Sequence, residues 1–176
     1  MYEVRVDPTS SLDPAVLEAA KALCAAEYVS FTDDDWDHGL GGLHAIAWDG
    51  DRLVGHAAVA QRRLIHQGRA LRCGYVENVV VRSSHRRQRM ATAMMIELGT
   101  VIAHAYDMGG LAAGPDGAAV YQPLGWRKWL GPTFALTPDG VVRTPDDDAE
   151  IYVLPGRVEL DLSAALTCDW RDGDVW

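Results

Sequence analysis

The sequence lacks the features of several protein classes. Its three cysteines, Cys24, Cys73 and Cys168, are far apart and form no CxxC pair, so we expect neither a disulfide framework nor a zinc site. No apolar run approaches the roughly 20 residues that a membrane helix needs. The first ten residues show neither the basic nor the apolar region of a secretory signal. We therefore expect a cytoplasmic protein with no membrane partner.

Metal-binding patterns are also missing. The six histidines include no HExxH pair. The acidic run Asp33-x-Asp35-x-Asp37 fails as a calcium loop, because His38 and His44 occupy the positions that require glycine and glutamate. The sequence therefore predicts no metal site.

A broad basic surface is missing as well, since the net charge is −9. Nucleic-acid binding needs such a surface, so we expect no nucleic-acid partner. The length of 176 residues and the hydrophobic content of 48% suit one soluble domain, 1–176. Despite the acidic balance, one short turn carries four arginines, namely Arg82, Arg86, Arg87 and Arg89.

Residue spacing in the first half of the chain predicts strands and helices in alternation. Residues 2–7 alternate as a half-buried strand should. Asp13-Pro14 is typical of a helix start, and Thr32 with Asp35 resembles a capping box. Three strands of an antiparallel meander follow, at 44–48, 53–65 and 69–82.

The second half continues the mixed pattern. A helix of about five turns begins near Met90, and Gly109-Gly110 is expected to end it. A short strand at 111–113 would then form a parallel pair by a right-handed crossover. A brief helix at 117–122 and strands at 126–136 and 151–154 complete the prediction of one α+β domain.

The stretch from Val76 to Ala91 carries the main functional signal. An apolar, β-branched strand runs into the basic turn and then into the helix, and this arrangement can bind phosphate through backbone N–H groups. The alternative is a solvated loop that merely caps the helix. Arginine is electrostatically unfavourable at a helix N-terminus, which favours an anion site.

The same stretch resembles motif A of the GNAT N-acetyltransferases. Val79-Val-Val-Arg82 and Arg86-Arg-Gln-Arg-Met-Ala91 are similar to the V-x-V strand and the [RQ]-x-x-G-x-[GA] loop of that family, with Arg89 at the middle glycine position. Tyr121-Gln-Pro-Leu-Gly-Trp126 is similar to the later motif Y-x-x-x-G-[FW]. The resemblance implies the GNAT acyl-CoA N-acyltransferase fold. We thus expect a central mixed, mostly antiparallel sheet with one parallel strand pair, flanked by helices.

The resemblance also implies acetyl-CoA as acetyl donor, with CoA as product. The residues expected to bind it are Val79, Val80, Val81, Arg86, Arg87, Gln88, Arg89, Met90, Ala91 and Thr92.

Four other stretches resemble the aminoglycoside 2′-N-acetyltransferases: 35–42, 69–77, 143–148 and 168–176. This resemblance implies transfer of acetyl to the 2′-amine of an aminoglycoside antibiotic, which would confer resistance. The expected partner is thus a small molecule, and a homodimer is expected because GNAT relatives are often dimers. The residues matched to substrate binding are Asp35, Glu77, Asn78, Asp147, Asp174 and Trp176.

Three residues are catalytic candidates. Glu77 could act through a water as the general base, since attack on a thioester requires a neutral amine; the alternative is a polar residue facing solvent. Tyr121 is the candidate general acid for the CoA thiolate, and its alternative is a core tyrosine. The resemblance implies that the Trp176 carboxylate shares the role of base, although a frayed end is the default for a terminus.

Some departures from the family pattern predict a smaller, less cationic substrate, such as kasugamycin. Asn78 stands where a glycine is expected, Ser30 where relatives carry an acid, and Gly114-Pro-Asp-Gly117 replaces a more polar segment. Two other functions stay open. One is a GNAT activity on polyamines or protein amines, and the other is a non-catalytic acyl-CoA-binding module, given Arg89.

Overall fold

The computed structural model describes residues 2–114 and 117–176. Pro115 and Asp116, in the middle of the Gly114-Pro-Asp-Gly117 segment, lie outside the described residues. The chain divides into two compact units, and the prediction of one domain over 1–176 stays a prediction. The first unit comprises Met1–Ala60 and Val76–Thr100, and the second comprises Gln61–Tyr75 and Val101–Trp176.

The first unit contains two complete helices, part of a third, and the first strands of the sheet. Its elements are β1 (Tyr2–Pro8), α1 (Pro14–Glu27), α2 (Asp33–Asp37), β2 (Leu43–Asp49) and parts of β3 (Arg52–His66), β4 (Arg69–Val81) and α3 (Met90–Ala105). Strand β1 pairs antiparallel with β2, and β2 pairs antiparallel with β3.

Both predicted helix caps are present. The Asp13 carboxylate accepts a hydrogen bond from the Ala15 N–H at 2.8 Å, with proline at the first helical position. In α2 the Thr32 hydroxyl accepts from the Asp35 N–H, while the Asp35 carboxylate accepts from the Thr32 N–H. Each cap satisfies a helix N–H that has no partner within the helix, which fixes where the helix begins.

An apolar cluster forms the core of this unit. One face of α1 supplies Ala20, Leu23 and Cys24, and the strands supply Ile46, Leu53 and Val80. The buried residues of this cluster are Ala20, Leu23, Cys24, Trp36, Ile46, Leu53 and Val80.

The second unit carries the rest of the sheet. Its further elements are β5 (Met108–Ala112), α4 (Ala118–Tyr121), β6 (Arg127–Lys128), β7 (Thr133–Thr137), β8 (Gly140–Arg143), β9 (Ile151–Pro155) and β10 (Leu166–Cys168). Strand β9 lies antiparallel between β5 and β6, and β10 lies between β3 and β7. The buried core contains Leu64, Tyr75, Met108, Trp129, Ile151, Leu166 and Trp176 among others.

The predicted parallel pair is present, but its second strand begins earlier than predicted. Strand β5 starts at Met108 and pairs parallel with β4, so Gly109 and Gly110 lie inside a strand instead of ending the helix, which ends at Ala105. A Cβ atom on Gly110 would lie 2.8 Å from the Tyr75 ring. Glycine fits here because the Tyr75 and Cys73 side chains of β4 occupy the space that a Cβ atom would need, not because the chain turns.

The strand predicted at 126–136 is two strands. Gly131 and Pro132 separate β6 from β7, and a Cβ on Gly131 would lie 2.0 Å from the Ala164 carbonyl oxygen. Strands β8 and β10 were not predicted at all. Strand β10 pairs parallel with β7, so the mixed, mostly antiparallel sheet contains a second parallel pair in addition to the one predicted.

Candidate active site

The basic turn between β4 and α3 has the backbone shape of an anion site. Strand β4 ends at Val81, and a single 3-10 turn leads towards Met90. Arg87 and Arg89 have φ values of +63° and +61°, in the left-handed region that favours glycine. Residues in this conformation turn successive N–H groups to one side, where they can surround an anion.

Arg89 is the residue from which α3 starts. Its carbonyl oxygen accepts the hydrogen bond of the Ala93 N–H at 2.9 Å. The N–H groups of Met90, Ala91 and Thr92 belong to the first turn, where no carbonyl lies four residues earlier in the helix. These N–H groups and the exposed Arg89 side chain therefore fit the predicted phosphate site.

Glu27, at the end of α1, holds the beginning of this turn. Its carboxylate accepts from the Ser83 N–H and from the Arg86 guanidinium, each at 2.8 Å. The bond from the Ser83 N–H, together with the nearby Arg86 charge, lowers the pKa of Glu27. Arg86 is thereby engaged with a carboxylate, whereas the sequence predicted it as a phosphate ligand; that role stays a prediction.

The backbone of β4 leaves regular strand geometry next to the candidate base. Asn78 has φ +55°, a conformation that asparagine tolerates better than other non-glycine residues. This explains how asparagine can stand where a glycine was expected. Its side-chain amide donates to the Asp35 carbonyl oxygen at 2.9 Å. The structure therefore brings Asp35 and Asn78 together, with the half-buried Glu77 adjacent in the chain.

Asp35 already has a structural role. Its Oδ2 atom accepts from the Thr32 N–H at 2.7 Å and from the Thr32 hydroxyl at 2.8 Å. A substrate ammonium at Asp35 would share a carboxylate that caps α2. The predicted substrate contact of Asp35 stays a prediction.

Tyr121 lies at the end of α4 in the second unit. Its side chain is 8% exposed and packs near the rings of Trp126 and Tyr152, at centroid distances of 6.2 and 6.4 Å. Burial raises the pKa of Tyr121 to about 12. The phenol therefore keeps its proton throughout the neutral range, as a proton donor must.

The other predicted residues of this unit lie together near the C-terminal segment. Burial and, to a smaller extent, repulsion from the Asp174 charge raise the pKa of Asp147. Trp176 is buried, and its indole N–H donates to the Thr144 hydroxyl at 2.9 Å. Its backbone N–H donates to the Asp174 carboxylate at 3.1 Å. The predicted contact of Asp147 and Asp174 with a cationic substrate stays a prediction.

Arg62, which the sequence did not single out, anchors the C-terminal segment. Its guanidinium donates to the Asp169 carboxylate at 2.8 Å and to the Val175 carbonyl oxygen at 2.7 Å. Arg171 donates to the main-chain oxygen of Trp176. The segment is thus docked and not frayed, although Trp170 is 49% exposed.

The predicted site residues divide between the two units. The first unit holds Asp35, Glu77, Asn78, Val79, Val80, Val81 and the loop residues 86–92, and the second holds Tyr121, Asp147, Asp174 and Trp176. Within the described ranges, no group of histidine, cysteine, aspartate and glutamate side chains could hold a metal ion. No helix in the part of the chain that the structure describes is long and apolar enough to span a bilayer.

Comparison with known proteins identifies the family. The acetyltransferase (GNAT) domain model matches residues 30–128. An aminoglycoside 2′-N-acetyltransferase of Mycolicibacterium fortuitum is 45% identical over 181 residues, covering 100% of this chain and 93% of the relative. Both resemblances found in the sequence are thereby confirmed.

Solved structures show the same fold at lower identity. YhbS of Escherichia coli, a GNAT family N-acetyltransferase in complex with CoA, matches with a TM-score of 0.63 at 17% identity, over 95% of this chain and 89% of that one. Eis1 of Mycobacterium abscessus matches with a TM-score of 0.62 at 20% identity over 76% of this chain, which spans 33% of the Eis1 chain. The chain belongs to the GNAT family of acetyltransferases.

Proposed function

We propose that this enzyme transfers the acetyl group of acetyl-CoA to the 2′-amine of an aminoglycoside antibiotic and thereby confers resistance. The observation that carries the proposal is the full-length similarity to the Mycolicibacterium fortuitum relative, which bears that activity in its name. The match runs over the whole chain and therefore includes both the candidate cofactor loop and the candidate substrate acids.

Acetyl-CoA fits the basic turn. The left-handed residues Arg87 and Arg89, and the first N–H groups of α3, supply donors for phosphate oxygens. The exposed arginines of the turn add positive charge in a chain of net charge −9. Bound acetyl-CoA supplies an acetyl thioester, and the backbone N–H groups of residues 79–81 would bind its carbonyl oxygen and pantetheine arm.

The side chains move the protons. Glu77 removes a proton from the substrate ammonium through a water, which leaves the neutral amine that can attack the thioester carbonyl. Tyr121, kept protonated by its burial, donates towards the departing sulfur. The Trp176 carboxylate, one oxygen of which accepts a hydrogen bond from Arg171, would share the role of base.

The acids bind the other ammonium groups of the substrate. Asp147 and Asp174 raise each other's energy when both are ionised, so an ammonium group between them would relieve repulsion. Asp35 and Asn78, which are linked through a hydrogen bond, would contact the acceptor beside Glu77. The asparagine side chain occupies space that glycine would leave open, which supports a small aminoglycoside such as kasugamycin.

We also propose a cytoplasmic enzyme that forms a homodimer. All three cysteines are buried thiols, as expected for a reducing compartment. Light scattering of the purified protein would measure the dimer directly, and a monomer at micromolar concentration would refute it.

The test is a CoA-thiol release assay over kasugamycin, gentamicin, tobramycin, a polyamine and a lysine peptide. We expect release with aminoglycosides, with NMR showing acetylation at the 2′-amine. The Glu77→Gln variant should lose about 100-fold or more in kcat/KM, the usual contribution of a general base. Glu97→Gln changes an exposed glutamate of α3 and is the matched control.

Three results would contradict parts of the proposal. Release with the polyamine or the peptide but with no aminoglycoside would refute the substrate class. A higher kcat/KM for gentamicin or tobramycin than for kasugamycin would refute the preference for a small substrate. Full activity of Glu77→Gln would remove Glu77 as the base.

A further inference from the structure

Two buried histidines of the first unit form a hydrogen-bonded chain that ends at the irregular peptide of β4. His44 Nδ1 lies 2.9 Å from His56 Nε2, and His56 Nδ1 lies 3.1 Å from the Asn78 carbonyl oxygen. At the other end, His44 Nε2 lies 2.7 Å from the Thr9 hydroxyl. The two imidazoles are 1% and 0% exposed, so water does not replace these bonds.

The chain of bonds has one direction. A carbonyl oxygen can only accept, so His56 Nδ1 must carry the hydrogen and its Nε2 must accept from His44 Nδ1–H. The bare Nε2 atom of His44 then accepts from the Thr9 hydroxyl at 2.7 Å, a shorter contact than the one from this hydroxyl to the Gly42 carbonyl oxygen at 3.2 Å, and the Thr9 oxygen accepts from the Gly41 N–H at 2.9 Å. Every donor meets an acceptor when both imidazoles are neutral.

Burial supports this neutral state. Burial lowers the pKa of His44; burial and the neighbouring His44 together lower the pKa of His56 to about 3. The ring of Trp36 lies 5.4 Å from the His56 ring and 6.2 Å from the His44 ring, which restricts both imidazoles. The two imidazoles are therefore held rigidly, and neither accepts a proton near neutral pH.

The histidine pair fixes the direction of the Val79 N–H. The Asn78 carbonyl and the Val79 N–H belong to one planar trans peptide, in which the two bonds point in opposite directions. Holding the carbonyl on the His56 imidazole therefore aims the Val79 N–H away from that ring. On the other side of Val79, the Tyr28 hydroxyl donates to the Val79 carbonyl oxygen at 2.8 Å. Both peptides that flank Val79 are thus held by side chains.

We infer that His56, backed by His44, and Tyr28 are positioning residues that aim the Val79 N–H at the thioester carbonyl. This inference rests on the proposed function, in which that amide polarises the acetyl group. A left-handed residue at position 78 has a higher backbone energy than a regular strand residue, so the peptide needs external bonds to stay in place. Neither histidine contacts substrate in this scheme; each acts through the backbone.

The test compares two replacements of one histidine. His56→Leu removes the donor to the Asn78 carbonyl, whereas His56→Asn places an amide N–H close to the position of Nδ1. We expect kcat to fall about 10- to 100-fold in His56→Leu, somewhat less than the loss of a whole oxyanion donor. The KM for acetyl-CoA should change less than about threefold, because the phosphate loop lies elsewhere in the chain. His56→Asn should recover most of kcat.

Tyr28→Phe gives a second test in case the buried variants do not fold. Tyr28 is 40% exposed, and this change removes only the hydroxyl, so the fold should survive. We expect kcat to fall about 3- to 10-fold, because one of the two flanking peptides stays held. Unchanged kcat in Tyr28→Phe, or equal losses in His56→Leu and His56→Asn, would overturn the inference.

An NMR measurement separates this inference from the proposed function. In ¹H–¹⁵N spectra of the parent protein, acetyl-CoA should shift the Val79 amide proton downfield, and the shift should shrink in His56→Leu but persist in His56→Asn. This readout needs no acceptor. A parent that releases no CoA with any amine refutes the proposed function, whereas a Val79 shift that is equal in parent and His56→Leu refutes the positioning role.

Discussion

Arg89 offers a sharp test because its backbone conformation should lower the stability of the fold, whereas its side-chain charge should strengthen cofactor binding. Its φ of +61° is left-handed, which costs an L-residue about 1–2 kcal/mol and costs glycine nothing. Glycine loses more entropy on folding, so Arg89→Gly should raise the free energy of unfolding by about 1 kcal/mol. For a chain of this size, that gain raises Tm by about 2–4 °C.

The same substitution should weaken cofactor binding. An exposed charge contact is worth up to about 1 kcal/mol, so removal of the guanidinium should raise the KM for acetyl-CoA about two- to fivefold. The effect should shrink at high salt, because ions screen exposed charges. Calorimetry gives Tm, and thiol release over a range of acetyl-CoA concentrations gives KM.

Arg89→Ala is the matched control, because it removes the same charge but keeps the left-handed strain. We expect the same rise in KM with no rise in Tm. If Arg89→Ala raises Tm as much as Arg89→Gly, the backbone argument is wrong. If neither variant changes KM, Arg89 does not contact phosphate and serves only as the first residue of α3.

Three further outcomes follow from burial and charge. Tyr121→Phe should lower kcat about tenfold while the pH profile between about pH 6 and 10 keeps its shape, since the pKa of Tyr121 is about 12; loss of an alkaline limb in this variant would contradict that assignment. The hydrogen bond from Arg143 lowers the pKa of Asp148 from 3.8 to about 2, so this carboxylate stabilises the fold above about pH 4 and its contribution is lost as the pH falls towards 2. Asp148→Asn should flatten the acid dependence of the unfolding free energy in that window, and an unchanged slope would refute the pairing. Gly110→Ala should destabilise by about 1–3 kcal/mol in urea, because its Cβ would lie 2.8 Å from side-chain atoms of β4, whereas Gly114→Ala, with open space around it, should not.

Local signals in the sequence predicted the parts of the fold that depend on neighbouring residues. The Asp13 cap and the Thr32–Asp35 capping box are interactions within three residues, and the structure contains both. The motif that indicated the candidate cofactor loop is also a local signal, because it specifies the backbone conformation over six consecutive positions. Family resemblance then supplied candidate substrate residues that no local rule could identify.

Interactions between residues far apart in the chain could not be predicted from local sequence patterns. Gly109 and Gly110 looked like a helix stop, but both lie in β5, where packed side chains fill the space that a Cβ atom would need: Leu154 and Trp126 at Gly109, and Tyr75 and Cys73 at Gly110. Arg62 lies more than a hundred positions from the C-terminal atoms that it binds. His44 and His56 looked like ordinary strand residues, since nothing in their spacing shows that two buried imidazoles face each other.

The position of β10 affects how the protein folds during its synthesis on the ribosome. Within its unit this strand lies between β3 and β7, and Leu166 pairs with His66, about a hundred residues earlier in the chain. Until β10 has emerged, the β7–β8 hairpin cannot join the sheet through β10, and the backbone groups of residues 64–66 lack their β10 partners. Closing so long a loop is slow, and exposed strand edges attract other nascent chains. We therefore expect co-expressed chaperones to raise the yield of folded enzyme.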